Sequence, residues 1–277
     1  MSSKRLQQKV CMVTGGTQGI GWALVQALAD EGAMVYACGR SAANLHLAQE
    51  AARSLPYAGR LHLTQCDVSD RPALEQWLNQ VYTERGRIDI LINNAAFTRW
   101  ENFNTMSQAE IDLTMQTAFG ATATSTKIVL PLMQQAGSGH IVNIGSTTGN
   151  IYVGGASAAY TAAKAAIDGF TQTLQVELVG GPVHIMLVRI GAVGGTDFFK
   201  KHVALNRMPR VSDIVPMLTP PQVAQGVLRG IDQQRAIVTM PGIYRLLYPI
   251  FVLAPGFSRW LGRVGGQTQR DYGGVKW

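Results

Sequence analysis

A glycine-rich segment near the start of the chain constrains the fold more than any other feature. Residues 10–14 form a short apolar run, and residues 15–21 follow with the spacing Gly-x-x-x-Gly-x-Gly before a helical periodicity begins. A strand, a glycine turn and a helix are the context of a dinucleotide-binding motif, because the turn lets backbone approach a pyrophosphate and the helix N-terminus attracts negative charge. We therefore predict a nucleotide-binding βα unit here; a tight turn without a ligand is the alternative.

The rest of the chain alternates short apolar runs with helical periodicities. Further strands are predicted at residues 33–38, 60–65, 88–92, 141–144, 183–190 and 236–240, and further helices at residues 42–55, 72–85, 107–135, 159–178 and 219–233. Such alternation predicts an α/β fold: a doubly wound, parallel, seven-stranded sheet of Rossmann type, with its site at the C-terminal ends of the strands. We expect residues 1–240 to form this single domain, with residues 191–215 as a lid.

Charge and composition exclude several classes of protein. The net charge is +7, and it is carried by residues 1–9 and 241–277, so that residues 10–240 are neutral overall. A nucleic-acid-binding core would instead carry a basic stripe. Three cysteines without metal-ligand spacing predict no metal site and a reducing compartment. Without a secretory signal or an apolar stretch of about 20 residues, we expect a cytoplasmic protein.

The end of the second predicted strand indicates which dinucleotide is bound. An acidic residue there would bond the ribose 2′-hydroxyl of NAD, whereas a nearby arginine accommodates the 2′-phosphate of NADP. Gly39 stands at the acidic position and Arg40 follows it, so NADP(H) is favoured over NAD(H). Gln18 adds no second positive charge to the first turn. Asp67, after the third strand, either meets the adenine edge or caps the next helix.

Tyr160 and Lys164 are four residues apart in a predicted helix, so they lie on one face, one turn apart. The ammonium group can lower the pKa of the phenol, because a nearby positive charge favours the phenolate. Ser146, at the end of the fifth strand, can hold a carbonyl oxygen beside the phenol. The three residues predict a proton-transfer site for carbonyl and alcohol chemistry.

Taken in order, these motifs resemble the short-chain dehydrogenase/reductase family over residues 8 to about 240. They are Thr14-Gly15-x-x-x-Gly19-Ile20-Gly21, Asn93-Asn94-Ala95, Ser146 and Tyr160-x-x-x-Lys164. The resemblance implies a nicotinamide cofactor, hydride transfer at a carbonyl or alcohol carbon, Tyr160 as general acid/base, Ser146 as the orienting hydroxyl and Lys164 on the nicotinamide ribose. The predicted cofactor site comprises Gly15, Thr17, Gln18, Gly19, Ile20, Gly21, Arg40, Asp67, Asn94, Tyr160, Lys164 and Gly191. For Asn94, bridging of neighbouring backbone is an equal alternative.

Three departures from the family pattern affect the site. The spacing from serine to tyrosine is one residue longer than usual, which makes Thr147 an alternative to Ser146 as the orienting hydroxyl; the Asn-Ile-Gly-Ser context favours Ser146 and puts the extra residue in the loop. Ile190-Gly191 replaces the usual Pro-Gly. Ala118 stands where the family carries an asparagine that anchors a proton-relay water, so the proton path must differ.

The stretch 241–277 is predicted to be a basic, apolar, helical extension. Apolar residues recur at helical spacing on both sides of Pro249, which should kink the helix: Ile243, Leu246, Leu247, Ile250, Phe251, Ala254, Phe257, Trp260, Leu261 and Val264. The helix either packs over the substrate pocket or against another subunit, or rests on a membrane surface. We expect a homodimer or homotetramer.

Together these features predict an NADP(H)-dependent oxidoreductase that reduces a hydrophobic ketone. The alternatives are an NAD-dependent alcohol dehydrogenase and a cofactor-binding protein of the same fold with weak or no catalysis. Ala118 and the altered Ile190-Gly191 turn are the only support for the last.

Overall fold

The computed structural model describes residues 4–101, 103–151, 157–196, 217–254, 256 and 260. Much of the predicted lid, and the extension beyond residue 254 apart from residues 256 and 260, lie outside these residues. Element labels below number the helices and strands of the described part.

A sheet of seven parallel strands forms the centre of the molecule, in the order β3-β2-β1-β4-β5-β6-β7. The strands are β1 (Val10–Thr14), β2 (Met34–Gly39), β3 (Leu61–Gln65), β4 (Ile90–Asn93), β5 (Gly139–Ile144), β6 (Val183–Ile190) and β7 (Ile237–Met240). The order reverses between β1 and β4, and ligands of open α/β sheets bind at such a switch point. The predicted fold class is confirmed, with strand ends within about two residues of those expected.

Eight α-helices connect and flank these strands in the described residues. They are α1 (Gly19–Asp30), α2 (Ala42–Arg53), α3 (Arg71–Arg85), α4 (Gln108–Met115), α5 (Ala121–Gln135), α6 (Ala158–Glu177), α7 (Pro220–Asp232) and α8 (Tyr244–Leu253). Side chains cap several N-termini: Ser41 accepts from the Asn44 N–H group at 3.2 Å, and Asp70 from the Ala73 N–H group at 3.2 Å. These are the residue types that favour helix starts.

Alternate residues of each strand face opposite helical layers. In β1, Cys11 and Val13 belong to the core that includes Leu24 of α1 and Val227 of α7. Met12 belongs to the opposite core, which includes residues of α3 and α5. Because both faces of the strand are covered, its sequence is apolar at every position, as is usual for parallel sheets. The two layers leave the C-terminal ends of the strands open for a site.

The long helix predicted at residues 107–135 is interrupted. A π-helical turn, Gln116–Gly120, separates α4 from α5. The Thr122 hydroxyl donates to the Ala118 carbonyl at 2.7 Å, and Ser125 donates to the Ala121 carbonyl at the same distance. Hydroxyl groups that bond carbonyls one turn back bend helices, and π turns are frequent at functional sites. The π-helical turn includes Ala118, the residue that stands where the family pattern has an asparagine.

The first helix of the C-terminal extension, α8, packs on the domain through one side only. Tyr244, Leu247, Tyr248 and Phe251 are half-buried on that side. Leu246 and Ile250, which the sequence pattern grouped with the packed residues, are 71% and 45% exposed. The packed face of α8 therefore consists of two tyrosines, Leu247 and Phe251, and the other aliphatic residues of the pattern face outward. No helix in the described ranges is long and apolar enough to cross a lipid bilayer.

Candidate active site

Tyr160 and Lys164 lie on the first turns of α6, where the structure brings them beside Ser146. The Ser157 hydroxyl accepts from the Tyr160 N–H group at 3.2 Å and so defines the start of the helix. The Lys164 Nζ atom lies 5.7 Å from the centre of the Tyr160 ring. Ser146, which follows β5, lies close to the Tyr160 phenol. The three predicted catalytic side chains thus converge at the C-terminal end of the sheet.

Ser146 and Thr147 have different surroundings. Ser146 donates to the Ile190 carbonyl at 3.2 Å and accepts from the Thr148 hydroxyl at 2.9 Å. The Thr147 side chain lies close to the Tyr244 phenol of α8. The role of Ser146 as the orienting hydroxyl remains a prediction.

The protonation of the pair differs from what the spacing alone indicated. Burial raises the pKa of Tyr160 to about 12, and the nearby Ser146 hydroxyl opposes the rise. Burial lowers the pKa of Lys164 to about 8. The Lys164 ammonium group donates to the Ile144 carbonyl at 2.7 Å, and it lies beside the phenol ring. Desolvation, which disfavours both charged forms, therefore outweighs the attraction that would lower the phenol pKa.

The glycine turn between β1 and α1 is shaped for close approach of a ligand. Gly15 and Gly19 have φ angles of +64° and +55°, in the left-handed region. A Cβ atom on Gly21 would lie 2.0 Å from the Gly15 carbonyl oxygen. Gln18 precedes the helix without a side-chain cap, so the first N–H groups of α1 stay available to an anion. This cradle fits the pyrophosphate of a dinucleotide, with Thr17, Ile20 and these residues around it.

The Asn94 side chain holds this turn in place. Its Nδ2 atom donates to the carbonyl oxygens of Thr14 and Gly15, at 3.0 and 3.1 Å. The Asn94 N–H group donates to the Thr14 hydroxyl at 3.0 Å. Asn94 thus bridges neighbouring backbone, as the alternative reading expected, and shapes the cradle from behind.

The end of β2 leaves little room for an acidic side chain at position 39. A Cβ atom on Gly39 would lie 2.2 Å from the Thr17 hydroxyl oxygen, so an acidic side chain there would require Thr17 to move. The Arg40 side chain is 52% exposed, and its Nε atom lies 3.9 Å from an Asp67 carboxylate oxygen. Asp67 also accepts from the Ser69 N–H group at 3.0 Å, which orders the turn before α3. The amide oxygen of Gln18 accepts from Asn44, and Gln18 brings no charge.

Position 191 has room only for glycine, because the first residue of α8 packs directly against it. A Cβ atom on Gly191 would lie 2.7 Å from the Tyr244 ring and 3.2 Å from the Pro241 Cδ atom. Its backbone N–H group donates to the Met240 carbonyl at 2.8 Å. Contact between Gly191 and the cofactor remains a prediction.

Two features of the site were missed by the sequence analysis. The ring of Trp100, which is 9% exposed, lies 6.4 Å from the Tyr160 ring, centre to centre. Beneath the site, Asn143 accepts from Asn93 at 2.8 Å and donates to Thr171 at 3.0 Å. The polar residues at the ends of two adjacent strands were the available signal for the buried network. Trp100 follows no periodic pattern, so nothing in the sequence pointed to it.

Ala118 is fully buried at the relay position. It packs in a small core with Ala163 and Ile167 of α6 and Leu187 of β6. The hydroxyl of the neighbouring Thr117 is buried and has no hydrogen-bond partner in the described part of the chain. The described residues contain no group of three side chains suited to hold a metal ion.

Comparison with known proteins agrees with this geometry. Residues 9–206 match the family model described as short chain dehydrogenase. The chain is 32% identical over 240 residues to 3-oxoacyl-[acyl-carrier-protein] reductase FabG of Thermotoga maritima, covering 85% of this chain and 95% of that protein. It is 35% identical over 191 residues to the NADP-dependent 3-hydroxy acid dehydrogenase YdfG of Escherichia coli K12, covering 68% of this chain and 74% of that protein.

A solved structure shows the same fold. The short chain dehydrogenase/reductase from Burkholderia phymatum in complex with NAD matches with a TM-score of 0.79, covering 93% of this chain and 96% of that one, at 18% identity. At that identity the likeness supports the fold alone. The family-model match spans most of the chain, and the relatives are matched over most of their length. The chain therefore belongs to the short-chain dehydrogenase/reductase family, and it is an oxidoreductase of that family with a nicotinamide cofactor.

Proposed function

We propose that this protein reduces a hydrophobic ketone with NADPH. One observation carries the proposal: the Lys164 ammonium group lies 5.7 Å from the centre of the buried Tyr160 ring, next to Ser146, and burial raises the pKa of the phenol so that it keeps its proton. A protonated phenol is ready to donate to a carbonyl oxygen, which is what reduction requires. Oxidation of an alcohol would require the same residue to start as a phenolate.

Each residue of the site has a definite part in this reaction. The Ser146 and Tyr160 hydroxyls hold the substrate carbonyl oxygen, and Tyr160 transfers its proton to that oxygen as the alcohol forms. A bound nicotinamide supplies the hydride that reduces the carbonyl carbon. The Lys164 ammonium group, 5.7 Å from the centre of the phenol ring, stabilises the phenolate left behind. Its bond to the Ile144 carbonyl, 2.7 Å long, fixes the position of that positive charge.

The preference for NADP(H) rests on the end of β2. Gly39 offers no carboxylate, and the half-exposed Arg40 is positioned beside the cradle, where an arginine–phosphate pair would be charge-assisted. A relative whose name states NADP dependence supports the choice. The carboxylate of Asp67, 3.9 Å from Arg40, weakens it, because it shares the positive charge. That contact keeps an NAD-dependent alcohol dehydrogenase as the second candidate.

An apolar substrate fits the surroundings of Tyr160. The buried Trp100 ring lies beside the phenol, with the two ring centres 6.4 Å apart. The names of the relatives include a 3-oxoacyl reductase, and such substrates join a ketone to an acyl chain. The substrate class proposed here is therefore a ketone with a bulky apolar group.

A matched panel of substrates tests the proposal. NADPH and NADH consumption would be measured with apolar aryl or alkyl ketones and with acetone as the small counterpart, and NADP⁺ and NAD⁺ reduction with the corresponding alcohols. We expect the highest kcat/KM with NADPH and an apolar ketone. Faster oxidation of alcohols with NAD⁺ would establish the second candidate. No turnover with any pair, despite cofactor binding, would show the cofactor-binding protein without catalysis that Ala118 raised as an alternative.

A further inference from the structure

A buried ion pair joins α6 to β6. The Nε atom of Arg189 donates to one carboxylate oxygen of Asp168 at 2.6 Å, and an Nη atom donates to the other at 3.0 Å. Asp168 is 3% exposed and Arg189 is 6% exposed. A bidentate pair of this kind is geometrically specific, because the planar guanidinium meets both oxygens at once. The pair therefore defines where the helix that carries Asp168 lies against the strand that carries Arg189.

On α6, Asp168 lies one helical turn beyond Lys164 and two turns beyond Tyr160. Residues four and eight apart share one side of a helix, so all three side chains lie on that side. The Lys164 ammonium group donates to the Ile144 carbonyl, at the end of β5, at 2.7 Å. Asp168 pairs with Arg189, the last residue but one of the adjacent β6. Successive turns of α6 are therefore attached to adjacent strands at the end of the sheet where the site lies.

The other partner of the ion pair is next to the residue that holds Ser146. Ile190 follows Arg189 in β6, and its carbonyl accepts from the Ser146 hydroxyl at 3.2 Å. A shift of this strand end would therefore move the carbonyl that holds the serine. The ion pair thus connects the strand that holds Ser146 to the helix that carries Tyr160.

Neighbouring side chains complete the surroundings of the ion pair. The Gln172 amide donates to the Asp168 carboxylate at 2.5 Å. The Tyr248 ring of α8 covers the guanidinium of Arg189, which lies 4.4 Å from the ring centre. A buried ion pair adds little net stability, because the cost of taking two charges out of water offsets their attraction. Its fixed geometry, rather than its energy, is therefore what the pair contributes.

We propose that Asp168 and Arg189 are positioning residues of the active site. Their ion pair fixes α6 against the end of β6, and so sets the distance between the Tyr160 phenol and the Ser146 hydroxyl. Both charged residues act through the helix and the strand that carry them. The inference rests on the proposed ketone reduction, in which the two hydroxyls must reach one carbonyl oxygen.

A double substitution separates positioning from stability. Asp168→Leu combined with Arg189→Met removes both charges and fills their place with apolar side chains. Such a replacement of a buried ion pair is often neutral or stabilising, so Tm should be retained or raised. The kcat for an apolar ketone should nevertheless fall by about 10- to 100-fold, because a misplacement of about 1 Å can cost 10²-fold. KM and NADPH affinity should change little, because the glycine turn and Arg40 lie on other strands.

A conservative variant and a matched control accompany this double variant. Arg189→Lys keeps the positive charge but loses the fork that binds both carboxylate oxygens, so it should lower kcat less than the double variant does. Arg5 and Glu31 form a partly exposed ion pair, 3.0 Å long, at the opposite edge of the sheet. Arg5→Met combined with Glu31→Leu should leave kcat unchanged. Tm, kcat, KM and NADPH affinity would be measured for every variant.

Several results would overturn the proposal. If the double variant at 168 and 189 kept the kcat of the unmodified protein, whatever its Tm, the pair would be structural only. If that variant did not fold, Arg189→Lys would decide, and an unchanged kcat would refute the positioning role. An equal loss of kcat in the control at 5 and 31 would show that the effect is not specific to this pair. Absence of turnover in the unmodified protein, by contrast, would refute the proposed function itself, and the inference with it.

Discussion

Lys164 is only 2% exposed, and its ammonium group donates to the Ile144 backbone carbonyl at 2.7 Å. Burying a positive charge in this way costs folding free energy, and the lowered pKa of about 8 reports that cost. The proposed reaction requires the charge, because the ammonium group would stabilise the Tyr160 phenolate. The positive charge of Lys164 that the proposed reaction needs therefore lowers the stability of the fold.

Replacement of Lys164 by methionine should therefore stabilise the fold while removing activity. The pKa of Lys164 is about 8 in the folded protein, below the ordinary value of 10.5, so the unfolded chain binds more protons between these pH values. The free energy of unfolding of the unmodified protein then rises with pH across that window. The advantage of Lys164→Met in Tm should be largest below pH 8 and shrink toward pH 10. Thermal unfolding from pH 7 to 10 measures it, and a Tm difference that is constant across this range would contradict the account.

Arg40 and Asp67 should have opposite effects on cofactor preference. Arg40→Ala should weaken NADPH binding by roughly tenfold, as expected for the loss of a charge-assisted hydrogen bond, and leave NADH binding nearly unchanged. Asp67→Asn should strengthen NADPH binding, because it removes a negative charge 3.9 Å from Arg40. Fluorescence titration of both cofactors gives the four affinities. Equal weakening of NADPH and NADH by Arg40→Ala would show that Arg40 does not contact the 2′-phosphate.

The alignment of Tyr160 with Lys164 was predictable, because helical geometry places residues four apart on one face. The direction in which the pKa of the Tyr160 phenol shifts was not predictable. It depends on burial by distant parts of the chain, which the spacing of two residues does not reveal. Trp100 and Tyr244 were missed for the same reason. Each reaches the site from a segment distant in sequence, and neither belongs to a motif.

The interrupted helix from α4 to α5 is the element on which the proton path depends. Its apolar and small residues predicted one continuous helix, and local pattern does not distinguish a π turn from a regular one. The turn places Ala118 against Ala163 and Leu187, which leaves no polar side chain at the relay position. The strands, by contrast, were predicted closely, because buried parallel strands are continuous apolar runs.

Asparagine at position 118 should destabilise the protein rather than speed its turnover. Ala118 is 0% exposed, so the larger polar side chain must displace its neighbours, at a cost of about 1–3 kcal/mol. Gln116→Asn, an exposed change in the same π turn, is the matched control. Chemical denaturation and the solvent isotope effect on kcat would be measured together. Faster turnover of Ala118→Asn, with a changed isotope effect, would show that the relay water has room after all.

Over the whole molecule, the outer side of α8 is the feature that the domain itself does not explain. Ile243, Leu246, Ile250 and Leu253 are between 45% and 82% exposed on that side. A stripe of large apolar side chains of this kind marks an interaction surface. The inner side of the same helix packs on the active site, so whatever covers the stripe also holds α8 in place.

We expect a second copy of the chain to cover this stripe in a homodimer or homotetramer. The double substitution Leu246→Ser and Leu253→Ser should then lower the molar mass in solution, as measured by light scattering. The alternative is that a membrane surface covers the stripe, because residues 241–277 carry a net positive charge that would attract anionic lipids. Sedimentation with anionic vesicles at low salt tests this alternative. Unchanged mass together with loss of vesicle binding would assign the stripe to the membrane and contradict the expected assembly.

The central claim is that Tyr160 gives its proton to a ketone oxygen, and a single-turnover experiment with Tyr160→Phe tests it most directly. Enzyme in excess would be mixed with NADPH and an apolar ketone, and the loss of NADPH absorbance followed over time. The ring is kept and only the hydroxyl is lost, so NADPH affinity should be nearly unchanged while the rate falls by about 10²–10⁴-fold. A rate close to that of the unmodified protein would show that the proton comes from another group and would contradict the account.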